Sequence, residues 1–383
     1  MGIRINGSTS GYTEIDAPAE GGNSTAGIIL PAGTTADRPA SGQAGQVRFN
    51  TTTGQLEYWS STSDTPQWRT ITQGPLNTIA VYYLVIAGGG SGGGYGQAGG
   101  GGAGGYRTSW GSGNISGANS SVESALNLEP EVGYTVTVGT GGATTTAQGG
   151  NKGQDSVLHT ITSVGGGSGG SHSCQYNDPS TYLNGGSSGG GGTYHDTQGT
   201  PTANQGMTGG WGMGSCIPAG GATGAGQFAY GTPFSGGGGG GASQNGGHGS
   251  TSNVGGGGDG GDGMASDITG TSVTRAGGGG GGVGSSGYQG YEGSGGAGGG
   301  GRGEGYNNGA INGTANTGSG GGGAGFFNAR SSGAGGSGVV IIRIPNTHSA
   351  TFSGVTASTA SAVGSDRVYE ITGGSGTVTF SKD

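Results

Sequence analysis

Residues 77–94 read NTIAVYYLVIAGGGSGGG, and this stretch decides the fold because the longest apolar run of the chain leads directly into glycine. The apolar half is rich in β-branched and aromatic residues, which predicts a buried β-strand. A matching stretch, GGSGVVIIRIP at 335–345, leaves the glycine region, and its proline ends the strand. The two strands are therefore expected to frame the glycine-rich block between them.

Glycine accounts for 108 of the 383 residues, and 92 of these glycines lie between residues 88 and 338. Its runs, of which 236–241 and 277–282 are the longest, lack the Gly-X-Y period, and this excludes collagen. From 165 to 338 only 11 of 174 residues are Val, Ile, Leu or Phe, too few for a conventional core. Glycine can form polyproline II helices without internal hydrogen bonds, whose backbones then bond to one another. We predict such a polyglycine II bundle over the alternative of a flexible linker.

The predicted fold class is mainly β with a polyglycine II helix bundle and almost no α-helix. We divide the chain into an N-terminal β-module at 1–75, a glycine-rich domain at 76–345 framed by β-strands, and a small C-terminal β-tail at 346–383. Inside the glycine-rich domain, LNLEPEVGYTVTVG at 126–139 and QDSVLHTITSVGGG at 154–167 contain alternating strands.

In the N-terminal module, GQVRFNTTTGQLEYWS at 45–60 predicts a hairpin. Val47 and Phe49 lie on one face, with Leu56 and Tyr58 across a Thr-Gly turn as cross-strand apolar pairs, and these side chains are expected to fill a small core. Two tryptophans are expected to cap the hairpin, Trp59 and Trp68.

Charge and hydropathy argue against nucleic-acid and membrane partners. Lys and Arg number 12 against 20 Asp and Glu, so the net charge of −8 leaves no basic cluster for phosphate binding. The N-terminus MGIRINGSTS has no apolar core of a signal peptide, and no run of 18 apolar residues occurs. We expect a protein made soluble in a cytoplasm, with no membrane insertion.

Motifs for catalysis and cofactors are weak, so we predict a non-enzymatic protein without a cofactor. One copy of the calcium-binding nonapeptide pattern fits residues 257–264, but such sites need tandem repeats. The closest metal pair is His172 with Cys174, and no second pair follows at zinc spacing. No G-x-S-x-G precedes a helix pattern, and G-x-G-x-x-G matches reflect glycine content alone.

The two cysteines, Cys174 and Cys216, enclose a loop of about 40 residues, and bridging it would stabilise the fold by roughly 3 to 4 kcal/mol. The alternative is a pair of free thiols, since reduction prevails in a cytoplasm. The residue spacing leaves both open.

Segments between the glycine runs are rich in aromatic and amide side chains. A packed bundle would place these segments as loops at its ends, where rigidly held aromatic side chains are suited to binding. The alternative interpretation is that the rings merely cover exposed glycine backbone. The candidate binding residues are Tyr182, Tyr194, Trp211, Tyr230, Tyr288, Tyr291 and Tyr306.

The stretch TADRPASGQAGQVRFNTTTGQLEYWS at 35–60, followed by WRTI at 68–71, resembles a module of bacteriophage tail-fibre and other virion proteins. The block from AVYYLVIAGGGSGGG to GGSGVVIIRI is similar to the glycine-rich domains of phage fibres and adhesins. Together the two similarities cover about residues 36–344. The chain departs from the tip adhesins of T-even-type phages by its own N-terminal β-region and its C-terminal tail.

The resemblance implies a virion protein, assembled in the host cytoplasm and located on a tail fibre or the capsid surface. It implies that loops on a polyglycine II scaffold bind a host cell-surface protein or glycan, and that the N-terminal region contacts other virion proteins. It also implies a homo-oligomer, with a trimer common among fibres. The alternative function is a purely structural virion component, such as a capsid fibre or decoration protein.

Overall fold

The computed structural model describes residues 30–43, 46–60, 67–71, 78–111, 115–171, 180–193, 198–213, 234–250, 256–284, 291–306, 308–325 and 330–383. The chain divides into two compact units, Met1–Leu76 and Asn77–Asp383.

The first unit contains a four-stranded sheet in the order β1-β2-β3-β4. The predicted hairpin is present, with Val47 opposite Tyr58 and Phe49 opposite Leu56. β1 pairs parallel with β2, whereas β3 pairs antiparallel with β4. The strands are β1 Ala32–Gly33, β2 Val47–Asn50, β3 Gln55–Ser60 and β4 Gln67–Thr70.

The expectation that the apolar side chains of this hairpin fill a core is wrong. Phe49, Leu56 and Tyr58 are 37 to 38% exposed, while Arg48 and Glu57 on the opposite face are buried. Strand alternation separates the two sets, and residues 34–43 cover the polar face. There Arg38 forms an ion pair with Glu57, Asn50 donates to the same carboxylate over 2.8 Å, and Trp59 contacts Trp68 edge to face.

The two strands predicted to frame the glycine block pair with each other. β5, Ile79–Ile86, runs antiparallel to β15, Val339–Pro345, so that Val339 lies opposite Ile86. Twelve of the fifteen residues in these strands are buried, as their β-branched composition predicts, and the exceptions are Ala80, Tyr82 and Pro345. The pairing of these two strands therefore brings the first and last residues of the glycine block close together.

These two strands belong to a ten-stranded sheet whose main order is β12-β11-β10-β18-β15-β5-β6. Residues 346–383, treated above as a third region, supply β16 to β18 of this sheet and share a compact unit with the glycine block. The other strands of this sheet are β6 Tyr106–Thr108, β9 Leu126–Leu128, β10 Gly133–Thr137, β11 Ser156–Leu158, β12 Ile161–Ser163, β16 His348–Ala357, β17 Ser361–Val363 and β18 Asp366–Lys382. Two separate two-stranded sheets are formed by β7 Ile115–Ser116 with β8 Ser120–Ser121 and by β13 Met264–Ser266 with β14 Val273–Arg275.

The glycine runs form the predicted polyglycine II bundle. In the run 236–241, Gly236 and Gly239 donate their N–H groups to Gly282 and Gly279, and the next two positions donate to other runs before the pattern repeats. This period of three is that of the polyproline II helix. The run donates to three neighbours, 279–282, 188–191 and 244–247, and accepts from three more, 258–261, 100–103 and 207–210.

Six hydrogen-bonded neighbours around one backbone require that no side chain intervene. The runs 236–241 and 277–282 are wholly buried, and none of their glycines has a left-handed φ. A Cβ built on Gly238 would overlap the carbonyl oxygen of Asp259, and one on Gly280 would overlap that of Gly293. The bundle is thus a core made of backbone, with hydrogen bonds in place of apolar side chains.

Helical structure in the described ranges is limited to three-residue 3₁₀ turns, so the fold is mainly β with almost no α-helix. A segment of three residues is far too short to cross a bilayer as a helix, and no longer helix occurs among these residues.

Candidate functional site

The glycine runs have one end at the ten-stranded sheet and another end opposite it, which we call the apical end. Residues 87–93 leave β5, turn at 95–97, and return as 98–105 to β6, with Gly93 donating to Gly99 and Ala87 donating to Gly105. The turn at 95–97 therefore marks the apical end. Hydrogen bonds between this turn and the other runs show which of their residues also lie at the apical end.

The exposed aromatic side chains of the second unit gather at this end. Within its described residues the exposed tyrosine and tryptophan side chains are Tyr95, Trp211, Tyr291 and Tyr306, at 38, 46, 41 and 41%. Tyr95 lies in the turn at 95–97. Trp211 follows Gly210, which is connected to Gly99, next to this turn, by hydrogen bonds through Gly170 and residues 190–191. Tyr291 accepts from the N–H of Gly257, and Glu304, two residues before Tyr306, accepts from the N–H of Val283. The neighbouring residues Gly258 and Gly282 are connected to Ala98 in the same way, so these rings lie at the same end of the bundle.

Trp211 is held by a neighbouring run. Its N–H donates to Nδ1 of His248 over 2.9 Å, and its carbonyl accepts from the N–H of Gly249 over 2.8 Å. The indole and imidazole rings are in contact, with centroids 5.1 Å apart and ring planes tilted by 34°. The indole thus has a ring partner within the chain, while nearly half of the side chain stays exposed.

Two Arg–Glu pairs lie beside Tyr291 and Tyr306. Arg302 contacts Glu292 at 2.5 Å, and Arg330 contacts Glu304 at 2.9 Å. Glu304 is buried, with 1% of its side chain exposed, and its carboxylate also accepts from the N–H of Gly325 over 2.9 Å. The charges at this part of the apical end are therefore largely paired within the chain.

Burial raises the pKa of the Glu304 carboxyl, although the Gly325 N–H and the Arg330 guanidinium act in the opposite direction. Because folded Glu304 binds its proton more tightly than the unfolded chain does, folding stability should rise as pH falls through this raised pKa. We predict that the difference in melting temperature between the wild type and Glu304→Gln changes in favour of the wild type as pH is lowered from neutral towards 4.5, the ordinary glutamate pKa. Thermal unfolding of both proteins over this pH range measures the difference.

The control for this prediction is Glu129→Gln, which removes an exposed carboxylate. Its melting temperature relative to the wild type should not follow the same trend. A wild-type advantage over Glu304→Gln that shrinks with falling pH would show that the ion pair with Arg330 outweighs burial.

The two aspartates of the single calcium-like motif accept hydrogen bonds from the backbone. Asp259 accepts from the N–H of Ser294 over 2.7 Å, and Asp262 accepts from the N–H of Ala297 over 2.8 Å. The two carboxylates are three residues apart and therefore project from the same side of one polyglycine II helix. The carboxylates therefore accept from the N–H groups of Ser294 and Ala297, which in the interior of the bundle would donate to backbone carbonyls of another run.

The seven predicted receptor-binding residues are placed as follows. Trp211, Tyr291 and Tyr306 are exposed at the apical end, while Tyr182 is half-buried and its ring lies over Gly149. Tyr194, Tyr230 and Tyr288 lie outside the described residues. Cys174 and Cys216 also lie outside them, so the disulfide alternative stays a prediction.

Tyr95 was missed by sequence reasoning. It lies in GGGYGQAGGGG between two glycine runs, and it has a left-handed φ of 62°. The signal was available, because an aromatic residue in a short connection between two runs must lie at an end of the bundle. Its partner in the turn, Gln97, has a buried side-chain amide without a hydrogen bond in the described structure.

In the described part of the chain no three His, Cys, Asp or Glu side chains are grouped so as to hold a metal ion. No curated protein and no solved structure matches the chain. A family model described as a glycine-rich domain matches residues 62–345, which include both framing strands and the runs between them. Because this match covers well over half of the 383 residues, the protein belongs to the glycine-rich domain family.

Proposed function

We propose that this protein is a bacteriophage virion fibre or adhesin that binds a host-cell receptor through the apical end of its glycine bundle. It carries out no catalysis in this proposal. The receptor is a cell-surface protein or glycan, and the N-terminal unit attaches the protein to other virion components.

The observation that carries the proposal is the position of the exposed aromatic rings. Tyr95, Trp211, Tyr291 and Tyr306 are separated by up to 211 positions along the chain, yet all lie at one end of the bundle. Tyr and Trp are the residues in which binding energy is concentrated at interfaces. A surface that collects them and pairs its charges internally is suited to contact with another molecule.

The bundle supports this role by its rigidity. Each inner glycine run is bonded to six neighbours, so the apical residues are attached to a framework that has little freedom to move. Binding groups on a rigid framework lose less entropy when a partner is bound. This is the advantage of loops displayed on a scaffold.

The first unit is proposed to supply attachment to the virion. Its sheet exposes Phe49, Leu56, Tyr58 and Ile71 on one face, while the polar face is closed by residues of the same unit. An exposed apolar face of this kind is typical of a protein interaction site. Neighbouring virion proteins are the proposed occupants.

We predict that Leu56→Asp lowers incorporation of the protein into virions by about tenfold or more, because it places a charge in this apolar face. The fold should persist, since Leu56 is already 38% exposed. Immunoblots of purified particles against total lysate measure incorporation. The control is Gln55→Asp at the neighbouring exposed position, and equal incorporation of both variants would refute the attachment surface.

The rival function is a structural virion component whose apical aromatic residues only protect glycine backbone. The contact between the rings of Trp211 and His248 favours it, because the indole already has a partner within the chain. The exposure of nearly half of the Trp211 side chain favours receptor binding instead.

Antibody labelling of intact virions in the electron microscope tests the proposal. Labels at tail appendages, with the antibody blocking adsorption to host cells, are expected. Labels spread over the capsid with unchanged adsorption would favour the structural alternative, and the absence of labelled particles would exclude both.

A further inference from the structure

We propose that a cleft beside β6, at the sheet end of the second unit, binds a neutral polyhydroxylated ligand of the size of a mono- or disaccharide. The cleft has a volume of about 730 Å³ and is lined by Arg107, Asn119, Ser121, Glu123, Asn204 and Gln205, among others. This volume lies in the range of about 300 to 1,000 Å³ that small-molecule sites occupy. The inference is independent of the proposed apical contact, which lies at the other end of the glycine runs.

The floor of the cleft is a fixed ion pair. Arg107 donates from Nε to Oε1 of Glu123 over 2.8 Å and from its terminal nitrogen to Oε2 over 2.6 Å. Tyr83 donates its hydroxyl to the same carboxylate over 2.8 Å, and Arg107 also donates to the carbonyl of Thr162 over 3.1 Å. Each charge is thus neutralised by the other, and the guanidinium retains N–H groups that a ligand oxygen can accept from.

The first wall is a tight turn between β7 and β8 that is held from several sides. Ala118 and Asn119 have left-handed φ angles of 57° and 54°, which non-glycine residues seldom adopt. The N–H of Ala118 donates to the carbonyl of Ala242, and Nδ2 of Asn119 donates to the carbonyl of Ser243. A glycine bundle segment therefore holds this wall in a conformation that costs backbone energy.

The second wall is the turn that contains Asn204, whose φ is 60°. Ser120 joins the two walls by donating its hydroxyl to the carbonyls of Gly117 and Asn204 over 2.8 and 3.3 Å. The side chain of Gln205 is fixed by the N–H of Val164 over 2.8 Å. The cleft therefore keeps its shape without a ligand.

Three polar groups at the rim are left for a ligand. The side-chain amide of Asn204, the hydroxyl of Ser121 and Oδ1 of Asn119 have no hydrogen bond to any described residue, and all three residues line the cleft. Together they present both donors and acceptors to the cleft. Adjacent hydroxyl groups of a sugar, each a donor and an acceptor, match such a set.

Charge and polarity decide between classes of ligand. The internal ion pair leaves no net positive charge for a phosphate or sulfate group. Apart from Ala203 the lining residues are polar or charged, which disfavours an apolar ligand. A neutral polyol is the class that remains.

Saturation-transfer NMR and calorimetric titration of the full chain test the inference, with maltose, lactose and N,N′-diacetylchitobiose as probes and inorganic phosphate as the charged comparison. At least one disaccharide should bind, and phosphate should not. Asn204→Gly should weaken that binding about tenfold, because it removes the amide while glycine tolerates the left-handed backbone.

The matched control is Asn316→Gly, the same substitution at another left-handed asparagine, which should leave saccharide binding unchanged. Ser121→Ala should weaken binding without a change of backbone. The inference is overturned if none of the three disaccharides binds, if phosphate alone binds, or if Asn204→Gly and Asn316→Gly bind equally well. Adsorption to host cells is not part of this test, so its outcome is separate from that of the proposed function.

Discussion

Gly238→Val should unfold the glycine block at temperatures at which the wild type is stable. The substituted carbon would overlap the carbonyl of Asp259, a backbone atom that cannot rotate away as a side chain could. It would also separate Gly238 from Gly247 and Gly210, with which it exchanges hydrogen bonds. We expect a loss of more than about 4 kcal/mol, a large part of the 5 to 15 kcal/mol by which domains are stable.

Gly280→Val tests the same principle in a second run, where the overlap is with the carbonyl of Gly293. The control is Gly373→Val in β18, where an added Cβ meets nothing within 4 Å. Valine is favoured in strands, so this control should keep or slightly raise stability. Thermal unfolding followed by circular dichroism measures all three variants. Melting temperatures of Gly238→Val and Gly280→Val equal to that of Gly373→Val would contradict the polyglycine II bundle.

Alanine substitution of the apical aromatic residues should abolish much of the host binding without loss of stability. For the residue at the centre of the contact we expect a loss of at least about 2 kcal/mol, nearly thirtyfold in affinity. Trp211 has the largest ring and the highest exposure of the set, so Trp211→Ala should show the largest effect. Binding of purified protein to host cells measures affinity for variants at Tyr95, Trp211, Tyr291 and Tyr306.

The melting temperatures of these variants should stay within a few degrees of the wild type, because the side chains lie outside the hydrogen-bonded runs. The control is Ile115→Ala, which removes an exposed apolar side chain at the sheet end and should change neither property. The structural alternative predicts the reverse pattern, with lower melting temperatures and unchanged binding. Normal binding by all four aromatic variants would remove the support for the adhesin proposal at this surface.

The N-terminal hairpin shows how far pattern reasoning extends. Alternation correctly placed Val47 and Phe49 across the turn from Leu56 and Tyr58, because a period of two and a short turn bring the apolar residues of both strands to the same face. It did not predict which face would be buried. That choice was made by residues 34–43, which cover the polar face and accept hydrogen bonds from Arg48 and Trp68 at the carbonyls of Thr34 and Pro39.

The apical surface could be predicted only in part. Trp211, Tyr291 and Tyr306 were candidates because each lies between glycine runs, and Tyr95 met the same criterion in a shorter connection. Nothing in the residues indicated that these connections lie at the same end. The cleft beside β6 had no sequence signal, since its residues come from 107 to 123 and from 203 to 205.

The sequence by itself determined that the glycine runs form a backbone-bonded bundle and that two apolar strands frame it. Only glycine permits polyproline II helices to approach closely enough for six-neighbour bonding, and only the apolar runs can fill a β core. Only the tertiary structure decided which run bonds to which. The run 236–241, for example, donates hydrogen bonds to the runs at 279–282 and 188–191. The physical reason is that glycine runs are chemically identical along their length, so their neighbours are chosen by chain direction and by the side chains at their ends.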